Sequence, residues 1–150
     1  MATKFVTSSY HFPTLQIEQR VKTLQRVVRI YDANPKFREL PLVVTGISGM
    51  AIGVPLAFQL NLEFCVVRKK GDSDNASHRI EGYIPIGEFL ILDDLVSSGN
   101  TIKRITDAIK GVSPDARCIG IILYNDPGRY NHGVMDIPVY NDRVSDDITF

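Results

Sequence analysis

The chain is 150 residues long and 44% hydrophobic, with seventeen basic and seventeen acidic side chains. That length suits one domain with a real apolar core, expected to span residues 1–150 as a single unit. The charge balance leaves no global electrostatic footprint for nucleic acid. No apolar run approaches the roughly 20 residues that cross a bilayer, and Met1–His11 lacks the basic-then-apolar pattern of a signal peptide. A soluble cytoplasmic protein is expected, with neither a membrane nor a nucleic acid as partner.

Between Thr14 and Tyr31, the apolar residues Leu15, Val21, Leu24, Val28 and Tyr31 recur at helical intervals. Asn34-Pro35 closes that helix, because the residue before a proline avoids the helical region. Leu40–Thr45 is a strand candidate, Gly46-Ile47-Ser48-Gly49 a turn, and Met50–Leu60 a helix with Pro55 in its first turns. Leu62–Val67 makes a second strand, ending at Arg68-Lys69-Lys70. Gly71–Gly82 is polar and without apolar period, which reads as a mobile loop or an exposed hairpin. Further strands are expected at Cys118–Tyr124 and Val134–Tyr140. Cys65 and Cys118 each fall in an apolar strand candidate and read as buried, reduced thiols. No Cys/His spacing resembles a zinc site.

The most informative stretch is Phe89-Leu-Ile-Leu-Asp-Asp-Leu-Val-Ser-Ser-Gly-Asn-Thr101. Phe89–Leu92 reads as a strand buried on both faces, since no polar residue alternates with the apolar ones. Asp93 and Asp94 then sit at its carboxyl end, where parallel α/β sheets bind ligands. Ser97–Thr101 opens into a helix with Ile102, Ile105 and Ile109 on one side. Such a loop points N–H groups and hydroxyls at a helix amino terminus, which suits a phosphate. Two carboxylates beside a phosphate cradle suit a phosphorylated ribose and a divalent cation. Strands alternating with helices argue for a doubly wound α/β fold with a mainly parallel sheet.

This stretch resembles the ribose-phosphate signature of type I phosphoribosyltransferases, in which two acids follow an apolar strand and precede a Thr/Ser-Gly-x-Thr loop. The resemblance extends over roughly residues 40–140. Val43-Val44-Thr45-Gly46-Ile47-Ser48-Gly49-Met50 occupies the place of the family's pyrophosphate loop, and Val66–Gly71 looks like the start of its mobile catalytic loop. The family transfers ribose 5-phosphate from phosphoribosyl pyrophosphate (PRPP) to a nitrogenous base, with magnesium. The resemblance also implies a small hood over the base, built from the terminal segments.

The resemblance assigns roles residue by residue. Asp93 and Asp94 would hold the ribose hydroxyls and stabilise positive charge on the sugar, directly or through Mg2+ held mostly by substrate. Ser97, Ser98, Gly99, Asn100 and Thr101 would bind the 5-phosphate. Thr45, Gly46, Ile47, Ser48 and Gly49 would meet pyrophosphate, joined by Lys70, His78 and Arg79 from the mobile segment. Lys69 is the first choice for a catalytic cation. The pyrophosphate loop has no Arg or Lys where many relatives do, so the mobile segment or a neighbouring subunit is expected to supply that charge. Arg129 is a further pyrophosphate candidate, and Tyr130, Tyr140 and Phe150 are candidates to stack on the base.

A purine base is favoured, because Arg68-Lys69-Lys70-Gly71 and the short plan look closest to adenine- and xanthine-using relatives. A homodimer is implied. Two other readings stay open: a PRPP- or nucleotide-sensing regulator of the same fold, and a generic nucleotide-binding module, although no Walker or GxGxxG loop is present.

Overall fold

The computed structural model describes residues 3–7, 12–69, 79–125 and 133–141. Two helices open the chain, α1 (Phe12–Leu15) and α2 (Ile17–Ala33). The sheet-facing residues of α2 are Thr23, Val27, Ile30 and Tyr31, while Val21 lies 52% exposed. The buried stripe is thus rotated about one position from the apolar count. Thr23 occupies a core position because its hydroxyl donates to the Gln19 carbonyl at 2.7 Å, which satisfies the polar group within the helix. The helix ends where Asn34-Pro35 predicts, and the Asn34 amide side chain donates to the Ile30 carbonyl.

A single sheet follows, of strands β1 (Leu42–Val44), β2 (Phe64–Val67), β3 (Ile80–Gly82), β4 (Glu88–Asp93), β5 (Arg117–Leu123) and β6 (Val139–Tyr140). The spatial order is β3-β2-β1-β4-β5-β6, and only the β2–β3 pair is antiparallel. The mainly parallel, doubly wound arrangement matches expectation. Chain order reverses between β1 and β4, and the carboxyl ends of those strands are where such sheets bind ligands.

Helices α3 (Gly46–Leu60) and α4 (Asn100–Val112) complete the layers. One core lies between α2, α3 and the sheet, around Tyr31, Leu42, Val44, Leu56 and Leu92. The other lies under α4, whose Ile102, Ile105 and Ile109 pack on Val43, Phe89 and Ile91. β4 is buried on both faces from Phe89 to Asp93, which explains its unbroken apolar run.

Three expectations need correction. Gly46–Gly49 is the first turn of α3 and not a separate turn; Gly46, at φ +65°, turns the chain sharply out of β1 into the helix. Pro55 consequently falls in the interior of α3. The last strand is only Val139–Tyr140; Gly133 (φ +96°), Met135 and Asp136 all take positive φ, and Val134 and Ile137 bridge as a tight turn.

Cys65 and Cys118 are free thiols, as expected; Cys65 is buried, whereas Cys118 is only half-buried. Tyr140 packs edge-on against Phe37, ring centres 5.0 Å apart, and is engaged in the core. Arg129, Tyr130 and Phe150 lie outside the described residues. Among the described residues, no helix is long and apolar enough to cross a membrane.

Candidate active site

A cavity of about 240 Å³ opens at the carboxyl ends of β1 and β4. Its walls come from three places. Thr45 and Ser48 flank the start of α3, Lys69 follows β2, and the segment from Asp93 to Thr101 supplies the rest apart from Asn100.

The N-cap residues of α3 and α4, Thr45 and Gly99, make no side-chain cap bond, and neither first turn holds an acidic residue. The first N–H groups of a helix lack intrahelical partners and carry the positive end of its dipole. Two such amino termini beside one cavity make a pair of anion-receptive positions.

Thr45 precedes α3 in an extended conformation, yet its hydroxyl does not cap the helix. It donates instead to the Val67 carbonyl at 2.6 Å, tying the end of β1 to the end of β2. Gly46 takes φ +65°, a conformation that favours glycine, and a Cβ there would lie 3.0 Å from the Lys69 Cε, the far end of a side chain free to shift. Gly49 lets the helix start sit directly on the sheet, since a Cβ there would lie 2.8 Å from the Val44 Cβ.

At α4, Gly99 takes φ +82° as the cap residue, and the Asn100 N–H donates to the Ser98 hydroxyl at 3.3 Å. Ser97 and Ser98 are exposed, and Thr101 is half-buried.

Asp93 and Asp94 are buried, 7% and 9% exposed. Asp93 is the last residue of β4 and Asp94 follows it directly, so both stand at the carboxyl end of that strand. Each carboxylate takes a backbone donor, Asp94 N–H to Asp93 Oδ1 at 2.9 Å and Leu95 N–H to Asp94 Oδ1 at 2.7 Å. Burial first, then the negative charge of Asp94, pushes the Asp93 carboxyl up to about 7, while the Lys69 ammonium opposes that rise.

Tyr124, just after β5, donates its hydroxyl to the Ser48 carbonyl at 2.7 Å. Burial, and then the charges of Asp94 and Asp93, hold the phenol well above its ordinary pKa, so it stays a donor. Arg104 reaches across from α4 to 3.4 Å from the Thr45 hydroxyl.

Of the residues expected at the site, Thr45, Ser48, Lys69, Asp93, Asp94, Ser97, Ser98, Gly99 and Thr101 line this cavity. Gly46 and Ile47 instead border a second, more open cavity of about 720 Å³ beside Met50, Val54 and Arg68. Gly49 is buried beneath the helix start, and Asn100 is exposed outside the lining. Arg79 sits at the sheet edge, where its carbonyl accepts from the Arg68 N–H at 2.7 Å, and it does not line the cavity. Lys70 and His78 lie outside the described residues.

Sequence reading missed Arg104 and Tyr124. The signal for Arg104 was its place one helical turn after Thr101; for Tyr124 it was a lone hydroxyl ending the apolar run of β5.

The family model for the phosphoribosyl transferase domain matches residues 15–141, and the chain belongs to that family. It is similar to the orotate phosphoribosyltransferase of Lactiplantibacillus plantarum, at 28% identity over 113 residues, covering 69% of this chain and 52% of that protein. It is also similar to the adenine phosphoribosyltransferase of Microcystis aeruginosa, at 33% identity over 118 residues, covering 69% of this chain and 66% of that one. The chain spans about half the length of the curated relatives it matches. Among solved structures, the orotate phosphoribosyltransferase from Aeropyrum pernix superposes with a TM-score of 0.66 at 15% identity, covering 85% of this chain and 72% of that one. That likeness establishes a type I phosphoribosyltransferase fold.

Proposed function

We propose that the chain transfers the 5-phosphoribosyl group of PRPP to a nitrogenous base and releases pyrophosphate. The carrying observation is the meeting of two buried carboxylates and two helix amino termini at one cavity. PRPP has a 5-phosphate, a ribose diol and a pyrophosphate, and this arrangement offers a complementary group for each.

In this reading, Ser97, Ser98, Gly99, Asn100 and Thr101 bind the 5-phosphate at the start of α4. The N–H groups of the first turn of α3, with Thr45 and Ser48, receive pyrophosphate. Lys69 stands beside that turn and neutralises charge on the leaving group, with Lys70, His78 and Arg79 as further cations from the same segment. Asp93 and Asp94 hold the ribose hydroxyls and stabilise positive charge at the anomeric carbon as the pyrophosphate bond breaks. That role needs both carboxyls ionised. The Asp93 proton, held up to about 7 in the free site, leaves when a cationic centre arrives.

The donor set fits magnesium in one way. Two hard carboxylates line the cavity, and no cluster of three or more His, Cys, Asp or Glu occurs among the described residues. An ion held mainly by substrate oxygens, with Asp93 or Asp94 completing its shell, agrees with that set. It would supply charge neutralisation on pyrophosphate.

A purine is the favoured base. Support comes from the adenine-using relatives, which match at 30–34% identity against 19–28% for the orotate-using ones. A homodimer is the proposed assembly. Ile47, Met50, Val54 and Phe58 form an exposed apolar stripe along α3, 40–92% exposed, of the kind a second copy covers. The absence of a basic residue in Thr45–Met50 favours a second reading, a PRPP-sensing regulator.

Pyrophosphate release from PRPP and magnesium tests the proposal, with adenine, guanine, hypoxanthine, xanthine, orotate and uracil supplied separately. Release dependent on a purine is expected. Release with orotate alone overturns the base assignment, and magnesium-dependent PRPP binding without turnover on any base supports the sensor.

A further inference from the structure

The turn that walls the proposed pyrophosphate position, Thr45–Met50, contains no Arg or Lys. We infer that Arg104 is the positioning residue for a diphosphate there, acting from α4 on Thr45 and setting a permanent positive charge beside the start of α3. This inference deepens the phosphoribosyl-transfer reading and rests on it.

Thr101, Arg104 and Ala108 form a half-buried stripe along α4, next to the fully buried Ile102, Ile105 and Ile109. Helical side chains lean toward the amino terminus, which carries the Arg104 head toward the cavity that Thr101 lines. One terminal nitrogen of its guanidinium lies 3.4 Å from the Thr45 Oγ1. The hydroxyl proton of Thr45 is already committed to the Val67 carbonyl at 2.6 Å. Toward Arg104 this oxygen can therefore only accept, and the two contacts together set the orientation of the residue that immediately precedes α3.

The charge on Arg104 has no obvious structural use. Its Nε is buried and has no hydrogen-bond partner among the described residues. No carboxylate among them forms an ion pair with it. A Met or Leu would fill the same stripe without desolvating a cation. A guanidinium kept half-buried and without a carboxylate partner among the described residues suits a polyanion in the adjoining cavity. Lys69 approaches the same turn from the β2 side, its Nζ 3.2 Å from where a Gly46 Cβ would stand. Two cations from two different elements thus flank Thr45–Gly46 and replace the one the turn lacks.

Calorimetric titration of wild type, Arg104→Lys and Arg104→Gln tests this, using magnesium pyrophosphate, PRPP and ribose 5-phosphate as separate probes. The expected result is about a tenfold loss of pyrophosphate and PRPP affinity in Arg104→Gln, as the nearby positive charge and the hold on Thr45 are both lost. Arg104→Lys should recover part of that loss, and ribose 5-phosphate should bind all three proteins alike. Unchanged pyrophosphate affinity in Arg104→Gln overturns the inference alone. So does equal weakening of ribose 5-phosphate, which would mark a general lesion of the site. A wild type that binds neither pyrophosphate nor PRPP overturns the functional reading and this inference with it.

Discussion

The Tyr124 hydroxyl, at the end of β5, holds the carbonyl of Ser48, in the first turn of α3, by a 2.7 Å hydrogen bond. The contact ties a helix start to the end of a strand 76 positions away, and the charge of Asp94 helps keep the phenol protonated. The α3 start is therefore held from one side by Tyr124 and from the other by the Thr45–Val67 bond. A turn anchored on both sides keeps its N–H groups aimed before ligand arrives, which is the preorganisation an anion site needs.

Tyr124→Phe removes only the donor. It should cost about 1 kcal/mol of stability in urea unfolding, the usual net worth of one such bond. PRPP affinity should fall roughly three- to tenfold, the same free energy expressed at the site. Unfolding and affinity both equal to wild type would show that the contact anchors nothing.

Gly49→Ala tests how closely α3 must sit on the sheet. A Cβ there would meet the Val44 Cβ at 2.8 Å and the Leu92 carbonyl at 3.3 Å, on the central strands β1 and β4, so the helix start or the strands must shift. Destabilisation of about 1–3 kcal/mol is expected, as for other overpacked sites, together with weaker PRPP binding. A variant as stable as wild type would mean that the helix start shifts freely.

The Asp93 carboxyl, raised from 3.8 to about 7, gives the ligand-free protein a definite pH dependence. The unfolded chain releases this proton near pH 4, whereas the folded chain keeps it until about 7. Within that window the unfolded state binds fewer protons, so stability falls as pH rises and levels off above it. Asp93→Asn should flatten the trend, and melting temperatures measured from pH 4 to 8 should diverge between the two proteins. Parallel curves would mean that Asp93 ionises in the fold as it does in water.

Burial pushes the Cys65 thiol up to about 11 and the Cys118 thiol up to about 12. Both should react slowly with a thiol-directed disulfide reagent at pH 8, because little thiolate is present. Both should titrate in denaturant without added reductant. A shortfall in that count would contradict the free-thiol state.

The parts of the fold with an unbroken physical signal were legible in the sequence. Phe89–Leu92 is apolar at every position because β4 is covered on both faces, and the acids at its end mark the cavity. What failed to show was geometry that arises only in packing. Gly46-Ile47-Ser48-Gly49 has the composition of a turn, yet it is the first turn of a helix, which the chain enters through the left-handed conformation of Gly46. Thr23 reads as polar but satisfies its hydroxyl within α2 and enters the core. Arg104 lies 59 positions from Thr45, so its place one helical turn after Thr101 marks the face of α4 but not the partner it meets.

The most direct test compares base-dependent pyrophosphate release by wild type and Asp94→Asn, at saturating PRPP and magnesium. Removing one carboxylate that faces the developing sugar cation should lower turnover by about a hundredfold or more, as loss of a preorganised electrostatic group does. Circular dichroism should show the fold retained. Base-dependent release in wild type that collapses in Asp94→Asn is the predicted result. Equal rates in the two proteins, or no release from wild type with any base, would contradict the account.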